Sequence, residues 1–133
     1  MDELIIKYYR NLCKTGFKYA GSLEEPSIFL DTVGERIRIC ARASQAYLHI
    51  YINIRNGIID DIKYLCTCDP TANVAIEVFC TLVKGKTLRE AKTLTEASFS
   101  RALGSTEQDF LKKARGIIEL LHRGLGHYQI AAS

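Results

Sequence analysis

Two cysteines one residue apart, Cys66-Thr67-Cys68, run directly into Asp69-Pro70. Alternating apolar residues upstream and the Asp-Pro pair downstream predict that a strand ends here and a helix begins. Side chains two apart on a strand share a face, so both thiols can converge on one ligand. The helix that follows offers unpaired backbone N–H groups and the positive end of its dipole, which favour thiolate over thiol. Paired thiolates are what a soft metal ion or an iron–sulfur cluster takes. Against this stands the plainer reading of cysteine as a small hydrophobe filling a core. The usual zinc spacing, CxxC with a second knuckle elsewhere, is absent.

The chain has five cysteines, and the remaining three differ in context. Cys40 ends a predicted strand over 36–41 and reaches the same sheet end if the strand pairing places it there, as a ligand or as packing. Cys80 falls with Ile76, Phe79 and Val83 on an apolar helical stripe, and Cys13 sits beside Leu12 in an N-terminal helix; both read as structural. Asp69 doubles as helix cap and as the carboxylate nearest the thiols. His49 faces away from an isoleucine stripe and reads as solvated or partner-facing. His122 and His127 flank glycines expected to end the last helix, where a helix dipole accounts for them. Lys84-Gly85-Lys86-Thr87 resembles the end of a phosphate-binding loop, but the upstream glycine is missing and a helix, not a strand, precedes it. Asp60 and Asp61 follow a turn and read as solvated. No GxSxG, HExxH or glycine-rich dinucleotide turn is present.

The elements that must position these residues are legible from periodicity. Residues 2–15 form an amphipathic helix stopped by Gly16, followed by a loop-rich connector over 16–34. Period two then sets in. A strand over 36–41 is followed by the clearest one, Leu48, Ile50, Ile52 and Ile54 alternating with His49, Tyr51, Asn53 and Arg55. Asn56-Gly57 predicts a type I′ hairpin turn, and Ile58 to about Cys66 is the return strand. Four helices complete the chain: Pro70 to about Val83, a short one through Lys92 opened by the capping box Thr87-Leu88-Arg89-Glu90, another from Thr95 to about Leu103, and a last one from Ser105-Thr106-Glu107-Gln108 to about Arg123, ended by Gly124 and Gly126.

With 133 residues, 47% hydrophobic and 25% charged, the chain has the length of one domain and the composition of a globular one. The expectation is a single α+β domain over 1–133, its three-stranded antiparallel sheet covered by helices on one face. A net charge of +3, scattered along the chain, gives no support for a nucleic-acid or membrane-surface partner. No apolar run approaches the roughly 20 residues of a membrane span. The start, Met-Asp-Glu-Leu-Ile-Ile-Lys, lacks the features of a secretory signal, so a cytoplasmic, reducing setting is expected, where clustered cysteines serve more often as ligands than as disulfides.

The run Asn56-Gly57-Ile58-Ile59-Asp60-Asp61-Ile62-Lys63-Tyr64 with a cysteine at the strand end, and then Val83-Lys84-Gly85-Lys86-Thr87-Leu88-Arg89-Glu90-Ala91, resembles the NifU/IscU-type iron–sulfur cluster assembly scaffolds over residues 34–125. That resemblance implies a NifU/IscU-like α+β fold and a non-enzymatic scaffold. Such a protein receives sulfur from a cysteine desulfurase, assembles a [2Fe–2S] cluster and passes it to cluster-accepting proteins; a homodimer is left open by the sequence. It also implies three cysteine ligands and an assisting aspartate. Cys68 matches the second cysteine with one extra residue before Lys84-Gly85-Lys86, leaving Cys66 as the other choice. Cys40 matches the first, but Cys40-Ala41-Arg42 stands where the family has Cys-Gly-Asp. Glu107-Gln108 stands where the family has its third cysteine after a histidine. A set of Cys40, Cys66 and Cys68, with Asp69 or solvent as the fourth ligand, holds a cluster or a single Fe²⁺ or Zn²⁺ on this reading. The alternative is a cluster-less interaction module that binds a desulfurase or another assembly component.

Overall fold

The computed structural model describes residues 2–32, 47–67 and 69–132, the last six for their backbone only. Helix α1, Glu3–Thr15, is capped by the Asp2 carboxylate, which accepts from Leu4 N–H, and it buries Ile5 and Leu12. Strand β1, Ile28–Asp31, lies inside the stretch read from the sequence as loop. At four residues it is too short for an alternation signal, and Glu25-Pro26-Ser27 masks its start. The expected strand over 36–41 lies outside the described residues.

Strands β2, Leu48–Arg55, and β3, Ile58–Cys66, form the predicted hairpin. Asn56 and Gly57 take φ of 55° and 77°, the left-handed pair that a type I′ turn needs. The sheet order is β1-β2-β3, all antiparallel. A register shift beside Asn53 pairs Asp61 and then Ile59 with successive β2 residues, leaving Asp60 as the extra residue. That bulge turns Ile59 and Ile62 to the same face while both acids stay off it. The inward face carries Ile28, Leu30, Leu48, Ile50, Ile52, Ile59, Ile62 and Tyr64. On the other face Phe29 lies 5.1 Å from His49 and 5.2 Å from Tyr51, ring centre to ring centre, and His49 lies 3.4 Å from the Asp31 carboxylate.

Helix α2, Pro70–Val83, packs on the inward face and is itself buried along almost its whole circumference. Around it lie α1, the capping-box helix α3 (Leu88–Lys92), α4 (Glu96–Leu103) and the long α5 (Gln108–Ala132). Phe79, Phe99 and Phe110 bring α2, α4 and α5 together without solvent exposure. The outer edge of β3 is covered rather than open. Tyr64 exchanges backbone hydrogen bonds with Tyr19 and Gly21, and Ile59 does so with Lys86 and Gly85. Lys84-Gly85-Lys86-Thr87 therefore closes a sheet edge, with Gly85 at φ +85° and Thr87 opening the capping box with Glu90.

Two expectations about α5 are corrected. The helix does not stop near Arg123 but runs through Gly124 and Gly126 to Ala132. Close packing, not chain reversal, accounts for Gly124, because a Cβ there would overlap Leu30 Cδ2. The start is capped by Glu107, whose Oε2 accepts from Phe110 N–H at 3.0 Å, while the Ser105 hydroxyl donates to Asp2. Cys80 is fully buried as expected, but Cys13 is exposed rather than in the core.

Gly124→Ala tests the helix–sheet contact. Its helix-propensity gain of about 1 kcal/mol is expected to be outweighed by about 1–3 kcal/mol of overpacking against Leu30. The melting temperature followed by circular dichroism then falls by several degrees; an unchanged or higher value would show that Leu30 yields without cost.

Candidate functional site

The junction between β3 and α2 is built by backbone pairing on one side and a helix cap on the other. Cys66 pairs with Leu48 as the last step of the ladder. One residue further on, Thr67 N–H donates to the Tyr47 carbonyl at 3.0 Å, and Tyr47 N–H donates back to Thr67 Oγ1 at 2.9 Å. Asp69 then takes extended dihedrals as N-cap, and its Oδ1 accepts from Ala72 N–H at 2.8 Å. Pro70 occupies the first helical position, where a missing N–H costs nothing. Only residues 67, 68 and 69 separate the strand from the helix.

Cys66 is half-buried against the core, on the face of β3 that also carries Ile62 and Tyr64. It is disulfide-bonded. A ligand role for this sulfur therefore belongs to the reduced protein. Cys68 and Cys40 lie outside the described residues. Among the described residues, no group of three or more His, Cys, Asp and Glu side chains is placed to hold a metal ion.

Asp69 does more than cap. Its Oδ2 lies 3.2 Å from the ammonium of Lys113, a residue of α5 that is 8% exposed. The same ammonium lies 3.8 Å from Asp109 Oδ1, one turn back on α5. Lys113 escaped the sequence reading, although it sits on the inward stripe between Phe110 and Ile117, where a lysine is out of place without a partner. The first turns of α5 are thus brought to the N-terminus of α2, at the end of the sheet where Cys66 lies. Glu107 is used there in capping α5.

A second buried charge lies farther along α2. Glu77, 2% exposed, accepts from Tyr19 N–H at 3.3 Å and lies beside the Tyr64 hydroxyl, which donates to Asn73 Oδ1 at 2.8 Å. Burial holds the Glu77 carboxyl above the usual carboxylate range, only partly offset by those donors and by Lys63 and Lys18. Burial likewise pushes the Tyr64 hydroxyl and the neighbouring Cys80 thiol upward. A glutamate in the middle of an otherwise apolar helix was the available signal for this cluster. His49, held beside Asp31 on the opposite face of the sheet, is half-buried and not part of either group.

No protein-family model matches the chain, and no curated protein matches it in sequence. Solved structures do match it in fold. The N-terminal part of a NifU-like nitrogen-fixation protein from Brucella abortus superposes with a TM-score of 0.61 at 14% identity, covering 96% of this chain and 93% of that one. A protein assigned as an iron–sulfur cluster assembly scaffold for the SUF system, from the thermophile Fervidobacterium islandicum AW-1, gives 0.66 at 14% identity, covering 94% and 96%. The α+β fold with its three-stranded antiparallel sheet is that of these proteins. No helix among the described residues is long and apolar enough to cross a membrane.

Two measurements check this geometry. In reduced, native protein a thiol reagent is expected to modify exposed Cys13 readily and buried Cys80 only after denaturation, as peptide mass mapping would show. For Glu77, a folded-state pKa raised above the unfolded one means that the unfolded chain ionises first as pH rises, so this residue lowers stability through that window. Below both values it is neutral in each state and costs nothing. Glu77→Gln should thus melt higher relative to wild type as pH rises above the unfolded-state pKa, the difference levelling off once Glu77 ionises in the folded protein too; a difference that does not grow with pH contradicts the assignment.

Proposed function

We propose that this chain is a divergent iron–sulfur cluster assembly scaffold, in which cysteine thiolates at the β3–α2 junction receive iron and sulfide and release them to an acceptor. The observation that carries the reading is the placement of Cys66 at the end of β3 and of Asp69 as the cap of α2, within a fold shared with NifU-like and SUF-system scaffold proteins. The proposed ligands are Cys40, Cys66 and Cys68, with Asp69 or solvent in the fourth position. A [2Fe–2S] cluster or a single Fe²⁺ or Zn²⁺ is cargo here, not a resident catalytic group, and no turnover by the chain itself is invoked. The chemistry contributed by the protein is to keep thiolates gathered at the positive end of α2 and to hold their backbone still. A cysteine desulfurase as sulfur donor and cluster-accepting proteins as recipients are the partners this role requires.

One observation favours a second reading, in which the fold persists as an interaction module without a cluster: Glu107, at the start of α5, is spent on a helix cap. A partner captured equally well after every cysteine is replaced by serine would support that module.

Anaerobic reconstitution decides between them. Reduced wild type given ferrous iron and sulfide should develop thiolate-to-iron charge-transfer absorption, and Cys66→Ser and Cys68→Ser should each lose most of it. Protein left unreduced, with Cys66 in its disulfide, should bind little iron, because only the thiolate is a ligand. Absence of those bands in the reduced wild type would refute the scaffold role.

A further inference from the structure

Helix α1 buries Ile5 and Leu12 on one side. Its exposed side forms, with Leu103 at the end of α4, an open groove of about 1170 Å³. We infer that this groove docks an acidic segment of a partner protein, with an apolar residue of the segment at the N-terminal end of α1 and its carboxylates along the C-terminal half. The inference goes beyond the scaffold reading, because the surface uses no thiol and stands whether or not the chain holds a cluster.

The basic half of the groove is made by Lys7, Arg10 and Lys14, all exposed. At 100° per residue they fall within about 60° of one another and form a single stripe. Among the described residues, no carboxylate lies within ion-pair distance of any of the three. Lys113, Arg115 and Arg123, by contrast, each have a carboxylate on their own or a neighbouring helix. Like charges three and four residues apart on a helix repel, and an acidic partner turns that cost into attraction.

The other half is apolar with an acidic rim. Leu4 is 42% exposed, and Ile6 and Leu103 line the groove with it. Leu4 rests against the turn after α4, where a Cβ on Gly104 would lie 3.8 Å from its Cδ1. Asp2 and Glu3 also line the groove. Asp2 is fixed in place, accepting from Leu4 N–H and from the Ser105 hydroxyl. Carboxylates of a ligand are therefore repelled at this end and attracted at the other. From Leu4 to Lys14 is about 15 Å of helix, the length of about ten helical residues. An anionic membrane would meet the same cations, but it is broader than the groove and would also press its phosphates onto Asp2 and Glu3. A protein segment, whose apolar and acidic residues come in order, fits both halves.

The probe is a fluorescent synthetic peptide of about ten residues, with leucine in its first turn and glutamate at most later positions, titrated into the full chain at low salt. Amide chemical shifts of the unaltered protein should move along α1 and beside Leu103. Lys7→Ser/Arg10→Ser/Lys14→Ser should weaken binding by about tenfold, roughly twofold for each exposed pair. Leu4→Ser should weaken it by about threefold, and should cost nothing further with a peptide that lacks the leucine. Added salt should erase the first loss and leave the second. Failure of the peptide to bind, an affinity unchanged in the triple variant, or shifts centred elsewhere overturns the inference. Binding to phosphatidylserine vesicles in place of the peptide would overturn it in favour of a membrane, and a dimer dissolved by the triple variant would do so in favour of a second copy. Should the triple variant fail to fold, the shift map of the unaltered protein still decides.

Discussion

A helix enclosed on nearly every side must have both of its ends solved by its immediate neighbours in sequence. Helix α2 is that helix here, with ten of its fourteen residues buried. At its start the Asp69 carboxylate caps the first turn and Pro70 removes a donor that would otherwise need a partner. At its end Lys84 N–H returns to the Cys80 carbonyl, and Gly85 turns the chain back onto Ile59 of β3. Both ends of α2 therefore attach to the same strand, one at each end. Strand and helix thus form a closed unit.

The two charges buried against this unit are balanced in different ways. Glu77 is surrounded by donors, a backbone N–H and a tyrosine hydroxyl, and burial still raises its pKa. Lys113 is matched by carboxylates, one from another element and one from its own helix. Replacing a buried ion pair by apolar residues is often no worse for stability than keeping it, while removing one member leaves an uncompensated charge. The Lys113–Asp69 pair is thus poor evidence of extra stability and good evidence of a fixed geometry. It sets the distance between the start of α5 and the start of α2, and in doing so forms one wall of the junction.

Periodicity and punctuation made most of this framework legible. The β2–β3 hairpin was announced by Ile alternation and Asn56-Gly57, and α2 by Asp69-Pro70 with its apolar run. Helix α3 was visible through a capping box that the structure forms in full. The failures have physical causes. Four residues of β1 are too few to show alternation, and their pairing comes from β2, not from local propensity. Gly124 and Gly126 read as stops because a glycine near a helix end is usually a C-cap; Gly124 instead makes room for Leu30, a contact so distant in sequence that no local rule could reveal it. Cys13 beside Leu12 read as core, yet adjacent helical residues point about 100° apart, so one can be buried and the other exposed. The strand-end place of Cys66 and the helix-cap place of Asp69 were legible because both are local signals. Lys113 was missed because its meaning lies in a partner on a different element.

Beside the Cys66 disulfide, the junction is fixed by contacts that do not involve sulfur. Cys66 is held by its backbone pairing with Leu48, Thr67 by reciprocal hydrogen bonds with Tyr47, and Asp69 by Ala72 and Lys113. None of those contacts is itself made through a thiol. A zinc finger, by contrast, obtains its fold from the metal and loses it with the metal. Here the described contacts come from the sheet, the enclosed helix and the cap, so on the proposed reading the cargo chemistry at the thiols is separate from the contacts that make the fold. That separation is what a protein needs if it is to hold a cargo temporarily: binding and release can then cost only the ligand bonds themselves, without folding and unfolding the chain each time.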